Sequence, residues 1–355
     1  MKTSTGGAGG GRIRIKLDGQ LDLDGVFTAD GGSGSWYNGY NSYDGTGGGG
    51  SGGSILIEAD SLTGTGTIRA EGGGVVTNQG GGGGGGRIAV HLVESVVSTT
   101  ATSPPTLTVT VQAYGDKSSA HVACGGGAAG TIFQRHGDLW TILRVDNNDN
   151  AAALNTWTPL PLELTATPAS VTRAYEGSVV WTLIDRKARL AMRGAAGSGS
   201  VFHSFYVALS SSSRIDGNEV RISGHDITLA GDIVATSVIA LNSTVDAWPV
   251  TTTAETVAAA EASSQSTLVL ASTCSLTSTS GVVDLDVNGT VTVDGDIATS
   301  TLSATAGESI AVGTTSALAL SGSICGVVQS ARSTVTIDGT LQCSGEVMSL
   351  RAYVD

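Results

Sequence analysis

The run Gly80-Gly81-Gly82-Gly83-Gly84-Gly85-Gly86-Arg87-Ile88-Ala89-Val90 decides how this chain is read. Consecutive glycines end abruptly on a short strand of alternating apolar residues. The same phrase occurs as Gly11-Arg12-Ile13-Arg14-Ile15, as Gly53-Ser54-Ile55-Leu56-Ile57 and as Gly130-Thr131-Ile132-Phe133, each time after a glycine-rich stretch. A second phrase follows: Leu21-Asp22-Leu23-Asp24-Gly25-Val26-Phe27-Thr28-Ala29-Asp30-Gly31-Gly32 matches Leu62-Thr63-Gly64-Thr65-Gly66-Thr67-Ile68-Arg69-Ala70-Glu71-Gly72-Gly73. The strand openings lie 33 to 44 residues apart, a spacing that belongs to stacked repeat architectures.

Glycine-rich stretches are flexible linkers by default. Recurrence at one place in the phrase argues for packed structure instead. Ordering glycine costs more backbone entropy than ordering any other residue. An ordered run therefore needs dense backbone hydrogen bonding and close chain-to-chain contact, as stacked rungs or polyproline-II-like strands supply.

From Arg214 onward the glycines thin out but the rhythm continues. Val220-Arg221-Ile222-Ser223-Gly224, Ile227-Thr228-Leu229-Ala230-Gly231, Val291-Thr292-Val293-Asp294-Gly295 and Val335-Thr336-Ile337-Asp338-Gly339 are short strands of period two, each closed by a glycine corner. Glycine at a corner accepts positive φ without a Cβ clash. Corners that recur with one polarity wind parallel strands, so the expected fold is all-β: a parallel β-helix, or β-solenoid, with Gly-rich stacked rungs. Asp-Gly corners also make hairpins, which leaves an antiparallel β-sandwich as the alternative. Ala254 to Ala262 is the one helix-like stretch. The expected divisions are a Gly-rich cassette over 1–155, a junction or lateral insertion over 156–213 that holds Trp157, Trp181, Phe202, Phe205 and Tyr206, and strand–Gly repeats over 214–355.

Composition narrows the function classes. The 355 residues include 52 Gly, and charged residues make up 14%, well below an ordinary soluble domain. Small and β-branched residues suit a thin repetitive core. A formal charge of −13 argues against nucleic acid, which needs a basic stripe. Arg186, Lys187 and Arg189 form one local basic cluster, read as a solvated turn. No stretch reaches the ~18 apolar residues of a membrane span. The residues after Met1 show no apolar secretory segment. Cys124, Cys274, Cys325 and Cys343 lack metal-ligand spacing, so no metal or other cofactor is expected.

Parallel β-helices also host polysaccharide-degrading enzymes, which need acid and base carboxylates flanking the scissile bond. No adjacent Asp-Asp pair is present, and the fragments Arg12–Lys16 and Ser223-Gly224-His225-Asp226 lie far apart in the chain. The chain is read as not an enzyme. Asp146, Asn148 and Asn150 have the spacing that opens an EF-hand loop, but Ala151 stands where that loop needs Gly, making this a weak calcium candidate. Asn242-Ser243-Thr244 and Asn288-Gly289-Thr290 are sequons, so Asn242 and Asn288 are glycosylation candidates. Trp36, Tyr37, Tyr40 and Tyr43 form an aromatic cluster suited either to stacking on sugars or to packing rung on rung.

The cassette from Ser54-Ile55 through Gly64-Thr65-Gly66-Thr67-Ile68-Arg69-Ala70, Arg87-Ile88-Ala89-Val90, Gly125-Gly126-Gly127-Ala128-Ala129-Gly130-Thr131-Ile132, Val145-Asp146-Asn147 and Thr158-Pro159-Leu160 resembles very large Gly-rich surface proteins of protists and plants. Among these are the flagellar-hair (mastigoneme) proteins of stramenopile algae, and similar cassettes occur in bacterial adhesins. The resemblance implies an extracellular or cell-surface, β-helical, often glycosylated, fibre-associated protein. It covers residues 5 to 162; the EGF-like cysteine modules that often accompany such cassettes are not present. Neither end of the chain reads as a cap, so the expectation is either an excerpt of a longer protein or copies that stack end to end, with self-association into a filament as the favoured reading. The expected function is a structural subunit or segment of an extracellular filament or appendage, assembling by end-to-end and lateral packing. The alternative is an adhesin or carbohydrate-binding stalk.

Overall fold

The computed structural model describes residues 4–35, 47–75, 80–93, 106–116, 125–137, 140–153, 156–159, 179–192, 201–204, 206–243, 267–278, 282–287, 290–299, 301–306, 309–312, 317–320, 324–330, 334–337, 340–343 and 347–352. These residues are all-β, without helix, and most strands lie in large parallel sheets. Ala254 to Ala262 lies outside the described residues. The chain divides into two compact units, Met1–Thr158 with Leu183–Arg189, and Pro159–Thr182 with Leu190–Asp355. The stretch 156–213 is thus shared between the two.

The strands of the first unit are β1 (Arg12–Lys16), β2 (Gln20–Asp22), β3 (Val26–Thr28), β4 (Ser54–Ala59), β5 (Ser61–Thr63), β6 (Thr67–Arg69), β7 (Arg87–Leu92), β8 (Thr110–Gln112), β9 (Thr131–His136) and β10 (Trp140–Asp146). The repeated phrase pairs with itself. β1, β4, β7 and β9 form a parallel ladder in chain order. β2 pairs with β5, and β3 with β6 and β8, also in parallel. β10 turns back antiparallel on β9. In-register pairing places like residues in columns, and Ile13, Ile55, Ile88 and Ile132 form one of them. Ile55, Ile88 and Ile132 are buried in one core with Ile57, Ile68, Val90 and Leu92. At the β1–β3 edge the equivalent Ile13, Ile15, Leu21 and Phe27 are only partly buried.

The glycine runs form two further rows. The first row holds segments 5–11, 47–53, 80–86 and 125–130; the second holds 29–35, 70–74 and 113–116. Within the first row Gly7 N donates to Gly48 O at 2.8 Å and Gly10 N to Ser51 O at 2.7 Å, then Gly49 N to Gly81 O and Gly52 N to Gly84 O, both at 2.9 Å. Between the rows the bonds zigzag: Gly32 N to Ala8 O, Gly50 N to Gly32 O, Gly73 N to Gly50 O, Gly83 N to Gly73 O and Asp116 N to Gly83 O. Donors recur every third residue, which is the periodicity of polyproline II. That conformation has no internal hydrogen bonds, so every bond it makes is to a neighbouring segment.

Each first-row segment therefore has three faces. Gly10, Gly52 and Gly85 face the second row, where a methyl group would overlap the carbonyl of Ala29, Ala70 or Ala113. Gly50, Gly83 and Gly127 face the preceding segment, where it would overlap the carbonyl of Ala8, Gly50 or Gly83. The third face points outward and carries Gly9 and Ser51. Glycine is required here for space between backbones.

In the second unit Tyr206–Leu209, Asp226–Leu229, Thr267–Leu270, Thr290–Val293, Ser309–Val312 and Thr334–Ile337 form one parallel ladder. Val207, Ile227, Leu268, Val291 and Ile310 make its buried column. A second parallel sheet is built around Asp232–Ser243, whose two halves pair with Ser275–Ser278 and Val282–Val287. The corners differ from the expectation of positive φ. The positive-φ glycines among the described residues are Gly19, Gly64, Gly125 and Gly137. The corner glycines Gly231 and Gly295 instead press against the carbonyls of Ser213 and Ser210, and of Cys274 and Ala271. Close approach, rather than handedness, selects glycine there. Cys274 is free and buried, and burial, helped by the charges of Asp232 and Asp296, pushes its thiol up to about 12.

The three-face geometry makes two glycines in one run behave differently. Gly83→Ala forces a methyl group into backbone that has no side chain to rotate away, and should destabilise the first unit by about 3 kcal/mol, the upper end of overpacking costs. Gly9→Ala meets only Ser51, at 3.8 Å, and should be neutral or stabilising by up to ~1 kcal/mol through the unfolded chain. Chemical denaturation of the two variants against the parent checks both.

Candidate functional site: the asparagine–arginine cap of the glycine rows

The polar cluster of the first unit sits where the glycine rows end. β10 runs into a tight turn in which Asn148 and Asp149 have φ of 49° and 59°, closed by Asn150 N donating to Asn147 O at 2.8 Å. Asn and Asp tolerate the left-handed region better than other residues with a Cβ, so the local sequence suits it. A second turn of the same kind has Arg186 and Lys187 at φ of 43° and 63°, closed by Ala188 N to Asp185 O at 3.0 Å. The two turns meet: Asp149 N donates to Arg186 O at 3.1 Å, and Lys187 Nζ to Asp149 O at 3.0 Å.

Asn147 is wholly buried and acts as a surrogate peptide. Its Oδ1 accepts from Gly115 N at 2.9 Å; its Nδ2 donates to Gly127 O at 3.2 Å and to Asn150 O at 2.7 Å. Asn150 Nδ2 donates to Gly115 O at 2.9 Å. These are backbone groups of the two glycine rows, met by side-chain amides. Ala153 N adds a bond to Gly126 O at 2.9 Å, and Thr158 Oγ1 donates to Ala129 O at 2.6 Å.

The cap is clamped by charge. The Asp146 carboxylate is almost fully buried and faces two guanidinium groups. Arg186 Nε donates to Asp146 Oδ1 at 2.9 Å, its Nη2 also contacts Asp146 Oδ2, and Arg144 Nη2 lies 2.9 Å from Asp146 Oδ2. Arg186 further donates to Asn148 Oδ1 at 2.8 Å and Tyr114 Oη at 3.0 Å, and its guanidinium lies over the Tyr114 ring. The hydrogen bond to Asp146 holds Arg186 above its ordinary pKa in spite of burial. Next to it, Arg189 packs over the Trp157 ring and donates to Ala153 O.

Of the residues singled out for calcium, Asp146 and Asn148 turn their oxygens to Arg186, and Asn150 presents its amide nitrogen to Gly115. No group of three or more His, Cys, Asp or Glu suited to a metal occurs among the described residues. Asn242 lies within a strand, its backbone paired with Ser223 on one side and Asp286 on the other, whereas N-glycan acceptors favour surface loops. Asn288 and the aromatics Trp36, Tyr37, Tyr40 and Tyr43 lie outside the described residues. The Arg186-Lys187 turn, read from sequence as solvated, is a structural clamp with its guanidinium on a buried carboxylate. Asn147, Tyr114 and Arg186 carried no sequence signal of this role beyond the turn-forming run Asp146-Asn147-Asn148-Asp149-Asn150.

The far edge of the rows is bounded by shape. Counted along the ladder, Thr5 and Ala8 occupy the positions of Gly47 and Gly50, and of Gly80 and Gly83. Ala8 is exposed while Gly50, Gly83 and Gly127 are buried. A glycine segment packed against 5–11 as the others pack would meet the Ala8 methyl. At the capped edge, Ala129 likewise replaces Gly10, Gly52 and Gly85, and Thr158 Oγ1 donates to its carbonyl. No helix among the described residues is long and apolar enough to cross a membrane.

Removing the Asn147 amide leaves Gly115 N–H and Gly127 C=O buried without it, at about 1–3 kcal/mol for each group. Asn147→Ala should therefore lower the stability of the first unit by roughly 2–6 kcal/mol. Asn147→Asp should cost a comparable amount, because a carboxylate cannot donate to Gly127 O. Equilibrium denaturation of both variants checks this, and retention of parental stability by Asn147→Asp would show the donor to be unimportant.

Comparison with protein-family models, with curated proteins and with solved structures returns no match to this chain.

Proposed function

We propose that the chain is a β-solenoid, non-catalytic structural segment of an extracellular filament or cell-surface appendage. The observation that carries this reading is the commitment of the polar groups in the buried polar cluster at the end of the glycine rows. Asp146, Asn147, Asn150, Arg186 and Tyr114 are spent on closing and clamping backbone-to-backbone packing. A protein that invests its buried amides and charges in joining glycine segments is built to hold shape.

The parallel in-register columns support the solenoid reading, because each repeat buries its apolar face only against its neighbours. The β1–β3 edge, with Ile13, Ile15, Leu21 and Phe27 half-covered, supports association there. Thr5 and Ala8 limit that association to the strand side, since the glycine side refuses another segment. Glycans at Asn242 and Asn288 belong to the extracellular reading, and a sugar-stacking role for Trp36, Tyr37, Tyr40 and Tyr43 to the adhesin alternative.

Electron microscopy of the purified chain over a concentration series tests the proposal. Elongated particles that join into fibres as concentration rises are expected. Compact particles that stay single at the highest concentration, or hydrolysis of a polysaccharide panel, would overturn it.

A further inference from the structure

The outward face of β1, β4, β7 and β9 has the anatomy of a protein interface. Register places Arg14, Leu56, Ala89 and Phe133 in one row across the four strands. Leu56, Ala89 and Phe133 are half-buried, and the Phe133 ring meets His91 edge-on at 5.7 Å. On one side of this row lie Arg12, Ser54, Arg87 and Thr131; on the other lie Lys16, Glu58, His91 and Arg135. An apolar centre within a charged rim, with arginine and an aromatic, is the pattern of protein-binding surfaces.

The charge on this face runs against that of the chain. The whole protein has a formal charge of −13, yet five of its 18 Lys and Arg, namely Arg12, Arg14, Lys16, Arg87 and Arg135, stand here beside one carboxylate, Glu58. Glu58 pairs with Arg14 at 3.2 Å. Arg12, Lys16 and Arg87 make no ion pair among the described residues. His91 is held below its ordinary pKa by burial, so the positive charge at neutral pH comes from the arginines and lysine.

The matching surface is in the other half of the same sequence. Residues 190–355 carry five Lys and Arg against fifteen Asp and Glu. On Val282–Val287, Asp284 and Asp286 stand two residues apart, Asp284 between Ala240 and Ser303 in register and Asp286 between Asn242 and Thr305. They make no ion pair among the described residues, and burial together with the charge of Asp284 raises the Asp286 pKa. Two residues along a parallel strand span about 6.6 Å, so Asp284 and Asp286 repeat at the pitch of Arg12, Arg14 and Lys16.

We infer that the basic outer face of β1, β4, β7 and β9 docks the acidic Asp284–Asp286 face of a second copy of this chain. The inference rests on the filament reading and gives it a contact. Because two different patches meet, the contact is heterologous and repeats from copy to copy without closing by itself. Four short strands offer a small area, so one contact is weak, and repetition along a fibre makes it effective.

Sedimentation velocity of the full chain at about 20 mM and about 500 mM salt tests this, since such charges are strongly screened at the higher value. Concentration-dependent association at low salt should weaken by about tenfold or more at high salt. Arg12→Glu/Arg87→Glu and Asp284→Lys/Asp286→Lys should each lose it alone, and an equimolar mixture of the two should regain it. If a charge reversal unfolds the chain, Arg12→Gln/Arg87→Gln and Asp284→Asn/Asp286→Asn should still weaken association. Fibres or oligomers that persist unchanged in the reversed variants would overturn the docking face and leave the filament reading standing. A parent chain that stays monomeric at both salts would overturn both.

Discussion

Backbone lying directly on backbone is the constraint on which the first unit depends. In the glycine rows the gap between segments is smaller than a methyl group, so two of every three positions admit only hydrogen as a side chain. This closeness lets each segment bond to its own row through one set of amides and to the other row through a second set. Glycine surrenders much conformational entropy when ordered. Dense intersegment bonding and dispersion contact between close-packed chains offset that loss. The adjoining strand sheets then extend the same segments in fixed register, so that one phrase of sequence sets both the glycine row and the isoleucine column.

Much of this was legible in the sequence. The recurrence of glycine run followed by Arg/Ser/Thr-Ile announced parallel self-pairing, and the strands of the repeated phrase do pair in that register. A period-three grammar is also present. In 47–53 the one non-glycine residue is Ser51, on the outward face, while Ala8 and Ala129 stand where no further glycine segment packs. What concealed it was composition, because an unbroken run such as Gly80–Gly86 has no contrast between its faces. The role of glycine at the later corners is hidden in the sequence for a related reason. Gly231 and Gly295 are close-approach residues, and a short Asp-Gly or Ala-Gly string does not distinguish space from handedness.

The cap was the least legible part. Asp146, Asn148 and Asn150 carry the residue types of a cation loop, and only three-dimensional placement shows Arg186, forty residues later, delivering its guanidinium to Asp146. Arg186 and Lys187 adopt left-handed backbone that neither residue favours, held by the reciprocal bonds between the two turns. Strain of that kind persists where surroundings over-determine it. Here the surroundings are the ends of the glycine rows, whose last donors and acceptors need partners. Chemistry-bearing residue types are recruited here for joinery.

Residue-resolved amide hydrogen exchange of the folded protein tests the central claim most directly. Two amides in every three are bonded in 47–53 and 80–86, so Gly49, Gly50, Gly52, Gly53, Gly82, Gly83, Gly85 and Gly86 should exchange slowly while Gly48, Ser51, Gly81 and Gly84 exchange fast. A period of two, as in an edge strand, or uniformly rapid exchange across these runs, would contradict the account.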